Sequence, residues 1–130
     1  MNEIQKYFTG KAYGGYSDCM TDVKNPWWIG STLSNCVGLA WGMFNLDRGR
    51  GQNFRRVRGD AKDIYPAAKE KGSGFMCGQT PKTSSIACYD NGGAGHVVYL
   101  LKVWKDGQAV GIESNYSGTL ANKLCLRVKL

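Results

Sequence analysis

The chain has 130 residues, 42% of them hydrophobic, with 18 Gly, 4 Trp and a formal net charge of +7. This length suits one domain with a real core rather than two, and the apolar and aromatic content excludes a disordered chain. No run of about 18 apolar residues is present, which excludes a membrane-spanning helix. The 17 Lys and Arg against 10 Asp and Glu favour an anionic partner, leaving nucleic acid, anionic lipid and the anionic polymers of a bacterial wall open. The opening "MNEIQKYFTG" lacks the apolar stretch of a secretory signal, so synthesis in a cytoplasm without general export is expected.

In chain order, residues 1 to 33 are rich in Gly, Tyr and Trp, with a turn signal at Asn25-Pro26. "STLSNCVGLAWGMFNLD" then has the features of a helix start. Ser34 or Asn35 is available as a cap, and Val37, Ala40, Trp41 and Phe44 recur at helical spacing. Gly38 and Gly42 lower its propensity but let a neighbouring backbone come close. "LDRGRGQNFRRVRGD" is a basic loop. "GDAKDIYPAAKEKG" offers Asp60 as a cap, a second helical start at Pro66 and Gly72 as a stop. After it the period changes, and "SSIACYD", "HVVYLLKVWK", "QAVGIESN" and "KLCLRVKL" are expected as strands, the last completing the sheet. Helices followed by an antiparallel sheet define an α+β class.

The 5 cysteines are Cys19, Cys36, Cys77, Cys88 and Cys125, an odd number that cannot close into a disulfide framework without a thiol left over. No C-x-x-C pair occurs, and the single histidine, His96, is too few for the common zinc patterns. No metal and no cofactor are expected. Buried free thiols are the ordinary reading for four of the five.

His96 opens the strand "HVVYLLKVWK" directly after Gly92, Gly93 and Gly95. "VWKDGQAV" carries a strong hairpin signal, since Asp106-Gly107 suits a two-residue turn. Closed there without a bulge, Lys105 faces Gln108, Leu100 faces Glu113, Val98 faces Asn115 and His96 faces Ser117. His96, Glu113 and Asn115 then share one face of the sheet, with Asn115 one diagonal step from the histidine and Glu113 two. The opposite face carries Val97, Tyr99, Leu101 and Val103 against Val110 and Ile112 as an apolar core face. An imidazole beside a carboxylate and an amide is the base-and-orienter half of a nucleophilic site. The missing half is a nucleophile, and Cys36, in the first turn of its helix, has the setting that favours a thiolate. A helix-borne Cys packed on a sheet bearing His and Asn is the papain-like logic.

At these residues the chain resembles the CHAP (cysteine, histidine-dependent amidohydrolase/peptidase) domains of peptidoglycan hydrolases. The segments are "NCVGLAWGMF", "GDAKDIYPAAKEKG", "GQTPKTSSIACYD", "GHVVYLLKVWKDG" and "IESNYSG", in the family's order over about residues 35 to 118. The resemblance implies a papain-like fold and Cys36 as nucleophile. It also implies His96 as general base and then acid, with Glu113 and Asn115 holding and polarising the imidazole. Asn35 stands where members often have Gln and is assigned to the oxyanion; Trp41 is assigned to substrate binding. "GQTPK…IACY" resembles phage-encoded lysins of Gram-positive hosts. Where some phage members carry an acidic calcium loop before the nucleophile, this chain reads "NPWWIGSTLSNC", without a carboxylate. Ser84-Ser85 replaces the Gly that many members have before the strand "IACY".

The expected protein is therefore a single catalytic domain over residues 1–130 with no separate wall-binding domain, a monomer without a membrane span. It would hydrolyse an amide or peptide bond of cell-wall peptidoglycan, with anionic wall polymers as the use for its charge, acting at the wall or carried on a virion. The alternative is a nucleic-acid-binding module. In "RGRGQNFRRVRG", Arg48, Arg50, Arg55, Arg56 and Arg58 flank Phe54, combining phosphate contacts with base stacking.

Overall fold

The computed structural model describes residues 17–24, 35–51, 56–57, 59–90, 92–114 and 123–129. Seven elements follow in order: β1 (Ser17–Lys24), α1 (Asn35–Leu46), α2 (Ala61–Lys69), β2 (Ser85–Tyr89), β3 (His96–Val103), β4 (Ala109–Ser114) and β5 (Lys123–Lys129). The strands form one antiparallel sheet in the order β1-β5-β4-β3-β2. The protein is α+β, as expected from the change of period along the chain.

α1 is apolar nearly all round, and residues 37 to 42 are all buried, which is the pattern of a helix enclosed in a core. It packs on β3, β4 and β2, while α2 packs on β2 and β3. Val37, Ala40 and Trp41 of α1 meet Ala61 and Ile64 of α2 and Val97 of β3. Cys36, Phe44, Phe75, Ile86 and Cys88 fill the rim of that cluster. Strand alternation turns Val98 and Leu100 to the other side of the sheet, where they form a second cluster with Ala109.

Four expectations need correction. β1 lies within the stretch for which no strand was expected, so the helices do not precede the whole sheet. β5 does not merely finish the sheet; it lies between β1 and β4. Pro66 starts no second helix and sits inside α2. It deletes one backbone donor, but Ala61, Ile64 and Ala68 are buried along the helix, and that packing overrides the local penalty.

The fourth correction is the β3–β4 hairpin. Its loop has three residues, Lys105, Asp106 and Gly107. Trp104 N–H donates to Gln108 O at 2.8 Å, Gly107 N–H donates to Trp104 O at 3.0 Å, and Gly107 adopts φ 90°. That is the type I turn with a left-handed third residue, not the two-residue turn. It pairs Val103 with Ala109 and Lys102 with Val110. The register then shifts between Leu100 and Lys102, and beyond the shift Leu100 pairs with Gly111 and Tyr99 with Ile112. Leu101 is the extra residue, a β-bulge. The bulge transfers Val103 to the face of Val98 and Leu100, so Val103 does not belong with Val97 and Tyr99 as expected.

Candidate active site

Four elements meet at the beginning of β3. α1 brings Cys36 as its second residue, half-buried, with no acidic side chain in the first turn. β3 brings His96 as its first residue. β4 brings Glu113, which is 0% exposed. α2 brings its first turn, whose Lys62 N–H donates to Ala94 O at 2.8 Å in the loop leading to His96.

His96 Nε2 lies 2.8 Å from Glu113 Oε1. Nδ1 is thereby left for the thiol of Cys36, with which the imidazole also hydrogen-bonds. Burial pushes the Cys36 thiol pKa up, but the hydrogen bond from His96, that from Val97 N–H, the imidazolium charge and Cys36's own N–H outweigh it. The net effect lies below the ordinary thiol value. Burial pushes His96 down, and the hydrogen bonds and charges of Cys36 and Glu113 more than reverse this, raising it to about 9. Both shifts favour a thiolate paired with an imidazolium, the form in which sulfur attacks a carbonyl and nitrogen protonates a leaving amine.

The bulge at Leu101 matters here. A three-residue loop without it would place Glu113 across from Tyr99, on the face turned away from His96. With it, the register continued one step past Tyr99–Ile112 puts Glu113 beside Val98, on the histidine's face and a single diagonal step away. The two departures from the simple hairpin each move the register by one residue, so the shared face of His96 and Glu113 is restored and the distance shortened. Gly111 contributes as well, since a Cβ there would run into Val98 Cγ1.

The structure thus brings Cys36, His96 and Glu113 together. Asn115 lies outside the described residues, as does the side chain of Asn35. Trp41 is 2% exposed and its ring packs on Phe44 and Phe75, so it is a core residue with no surface to offer a substrate. Two features went unanticipated. Tyr89, 41% exposed, pairs directly with His96 across β2 and β3. Closing "IACYD" onto "HVVYL" as a hairpin over the intervening Gly-rich loop would have found it. Ala94 and Gly95 rest on the first turn of α2, a contact with no local sequence signal beyond the glycine itself.

A thiol at a helix start, an imidazole at a strand start and a buried carboxylate behind it define a cysteine–histidine site on an α+β scaffold. The CHAP domain family model matches residues 12–115, and the chain belongs to that family. A protein of Streptococcus mutans serotype c (strain ATCC 700610 / UA159), named "Putative hydrolase", is 42% identical over 50 residues, covering 38% of this chain. That match spans 24% of the Streptococcus protein's length. No solved structure matches the chain.

Proposed function

We propose that this protein is a thiol-dependent peptidoglycan hydrolase that cleaves an amide or peptide bond of the bacterial wall, in the manner of a phage lysin. The observation that carries the reading is the chain of contacts from Cys36 to His96 to buried Glu113, in a chain of the CHAP family. The Cys36 thiolate attacks the carbonyl of a stem-peptide or cross-bridge amide. The resulting oxyanion is held by the Cys36 backbone N–H and a side-chain donor, for which Asn35 is the candidate. Imidazolium at His96 gives its proton to the leaving amine, and water activated by the neutral ring then hydrolyses the thioester. Glu113 fixes the ring and stabilises its charged form, and Asn115 is assigned to the same task. The helix-borne thiol and sheet-borne imidazole follow the papain-like order. The net charge of +7 suits a wall carrying anionic polymers.

Of the residues behind the nucleic-acid alternative, Phe54, Arg55 and Arg58 lie outside the described residues, and Arg48 is engaged within the fold. Arg48 donates to Phe44 O at 3.0 Å and Ser84 O at 2.8 Å and lies 3.7 Å over the Phe44 ring, bracing the end of α1 against the strand side of the fold.

Digestion of purified walls by the wild type and by Cys36→Ser tests the reading. The wild type is expected to release new amine ends, on L-alanine for an amidase or within the stem peptide or cross-bridge for an endopeptidase. Cys36→Ser is expected to release none. New ends at equal rate from both proteins would overturn the mechanism.

A further inference from the structure

We propose that the first turn of α2 is a positioning element for His96, acting through Gly95, an assignment that rests on the cysteine–histidine reading above. The loop before His96 does not merely pass α2. Ala94 O accepts the Lys62 N–H at 2.8 Å, so a helix-start donor that would otherwise face water is spent on the histidine loop. At Gly95, the residue before His96, φ is 80°, and an added Cβ would stand 2.6 Å from Lys62 N, 2.9 Å from Lys62 Cα and 3.1 Å from Ala61 C. These are backbone atoms, which have no rotamer to move aside.

The turn that receives the loop is itself held in place. Asp63 Oδ2 accepts the Asp60 N–H at 3.0 Å, closing the start of the helix. Gly59, at φ 128°, lets the chain enter close beneath Asp63, where a Cβ would approach Asp63 Cβ to 2.7 Å. Ala61, 5% exposed, and Ile64, 3% exposed, anchor the turn in the cluster that also contains Val37 of α1 and Val97 of β3. One packed unit therefore fixes the helix bearing the thiol, the strand bearing the imidazole and the turn against which the histidine loop rests. Glu113 and Cys36 orient the ring of His96; α2 sets where its backbone stands.

Gly107 supplies the comparison, since it has φ 90° but open space where a Cβ would go, at the hairpin end remote from His96. An alanine at either glycine adds backbone strain, but only at 95 must the loop retreat. A retreat of roughly 1 Å is enough to cost on the order of 10- to 100-fold in turnover. Among the described residues, the titratable groups on the elements packed against the pair are Glu113 from β4, Tyr89 from β2, and Asp60, Lys62 and Asp63 at the start of α2, whose backbone meets the histidine loop. The substitution changes the charge of none of them.

The experiment follows iodoacetamide alkylation of Cys36 against pH, resolved from the other four cysteines by peptide mass spectrometry, with folding checked by circular dichroism and turnover measured on purified walls. Gly95→Ala is expected to raise the alkylation midpoint of Cys36 by about one pH unit and to lower turnover at least tenfold, while Gly107→Ala leaves the midpoint at its wild-type value. If Gly95→Ala does not fold, Lys62→Pro decides. It removes the N–H that holds Ala94 at a first-turn position where Pro is tolerated, and it is expected to raise the midpoint beyond that of Lys62→Gln, which removes the same charge but keeps the N–H; equal midpoints in these two variants overturn the positioning role. A wild-type midpoint in the folded variant, or an equal shift in Gly107→Ala, overturns the positioning role alone. A wild-type Cys36 that alkylates as an ordinary thiol overturns the pair and the positioning role together.

Discussion

Two helices begin against the same few residues of β3, and they use their first turns differently. α1 has no acidic residue in its first turn and presents Cys36, whose sulfur receives the Val97 N–H and its own N–H. α2 has Asp63 in its first turn, which accepts the Asp60 N–H, and its Lys62 N–H goes to Ala94 O. Each helix start offers unpaired donors and a partial positive charge. In α1 a reactive sulfur takes them, and a neighbouring carboxylate would compete with the thiolate by repulsion. In α2 structure takes them, and the carboxylate belongs there. The difference teaches that, on the proposed mechanism, an acid-free helix start beside an imidazole serves chemistry, while the capped one next to it is scaffolding.

Breaking the chemical side has the largest expected effect. Cys36→Ser lowers wall hydrolysis by at least about 10³-fold, since an alkoxide-forming hydroxyl gains far less from these donors than a thiol does. The fold is expected to persist, because Cys36 lies at the rim of its cluster and Ser is nearly the same size. Wall-clearing rates together with circular dichroism check this; near-wild-type clearing would remove Cys36 from the mechanism.

A smaller effect is expected one step behind the sulfur. Cys36 and Glu113 together stabilise the imidazolium by hydrogen bonds and charge, which raises His96 to about 9 despite its burial. The reactive pair exists between the depressed thiol pKa and that upper value, so activity falls on the alkaline side as the imidazolium loses its proton. Glu113→Gln removes the negative charge and lowers the histidine's pKa. The alkaline limb of the rate–pH profile therefore moves to lower pH, and the rate falls by roughly 10- to 100-fold. Asn115→Ala is expected to lower the rate with less movement of that limb, since an amide fixes a tautomer without adding charge. A Glu113→Gln profile with an unmoved alkaline limb would mean that the carboxylate does not act on the ring.

The scaffolding side sharpens the comparison through stability rather than chemistry. Asp63→Ala frees the Asp60 N–H and is expected to cost about 1 kcal/mol of unfolding free energy, read by urea denaturation. Asn35→Ala at the start of α1 probes the other helix, and its larger consequence should fall on turnover if Asn35 serves the oxyanion. Equal stability losses with equal activities would erase the contrast between the two helix starts.

Much of this was legible in the chain. The helical spacing of Val37, Ala40, Trp41 and Phe44 located α1 and put Cys36 in its first turn, because a buried helix writes its contacts into local periodicity. Asp60 announced the start of α2 for the same local reason. β1 was not legible: "SDCMTDVK" has little apolar alternation, and its pairing with β5, Cys19 opposite Cys125, joins segments from opposite ends of the chain. The hairpin is the instructive case. Asp106-Gly107 marks a turn without saying whether two or three residues close it, and nothing in "YLLKV" marks Leu101 as a bulge. The shared face of His96 and Glu113 was still anticipated, because two one-residue shifts preserve the alternation. Trp41 failed as a substrate contact for the opposite reason: the spacing that identified its helix also identified it as core.

The smallest expected effect is from metal removal. The stretch before Cys36 carries no carboxylate over "NPWWIGSTLSN", whereas calcium takes six to eight oxygen ligands. Among the described residues no group of three or more His, Cys, Asp and Glu side chains is placed to hold an ion. The proposed chemistry needs only the thiolate, the imidazolium and the donors around them, none of which a chelator withdraws. EDTA is therefore expected to leave wall clearing within about twofold of the untreated rate. The measurement is turbidity clearance of metal-stripped walls, with calcium added back as a second arm. A loss restored by calcium would point to ligands elsewhere in the chain, with Asp18 and Asp22 on β1 as the first to substitute. It would also give the N-terminal strand, on the far edge of the sheet from β2, a part in holding the site.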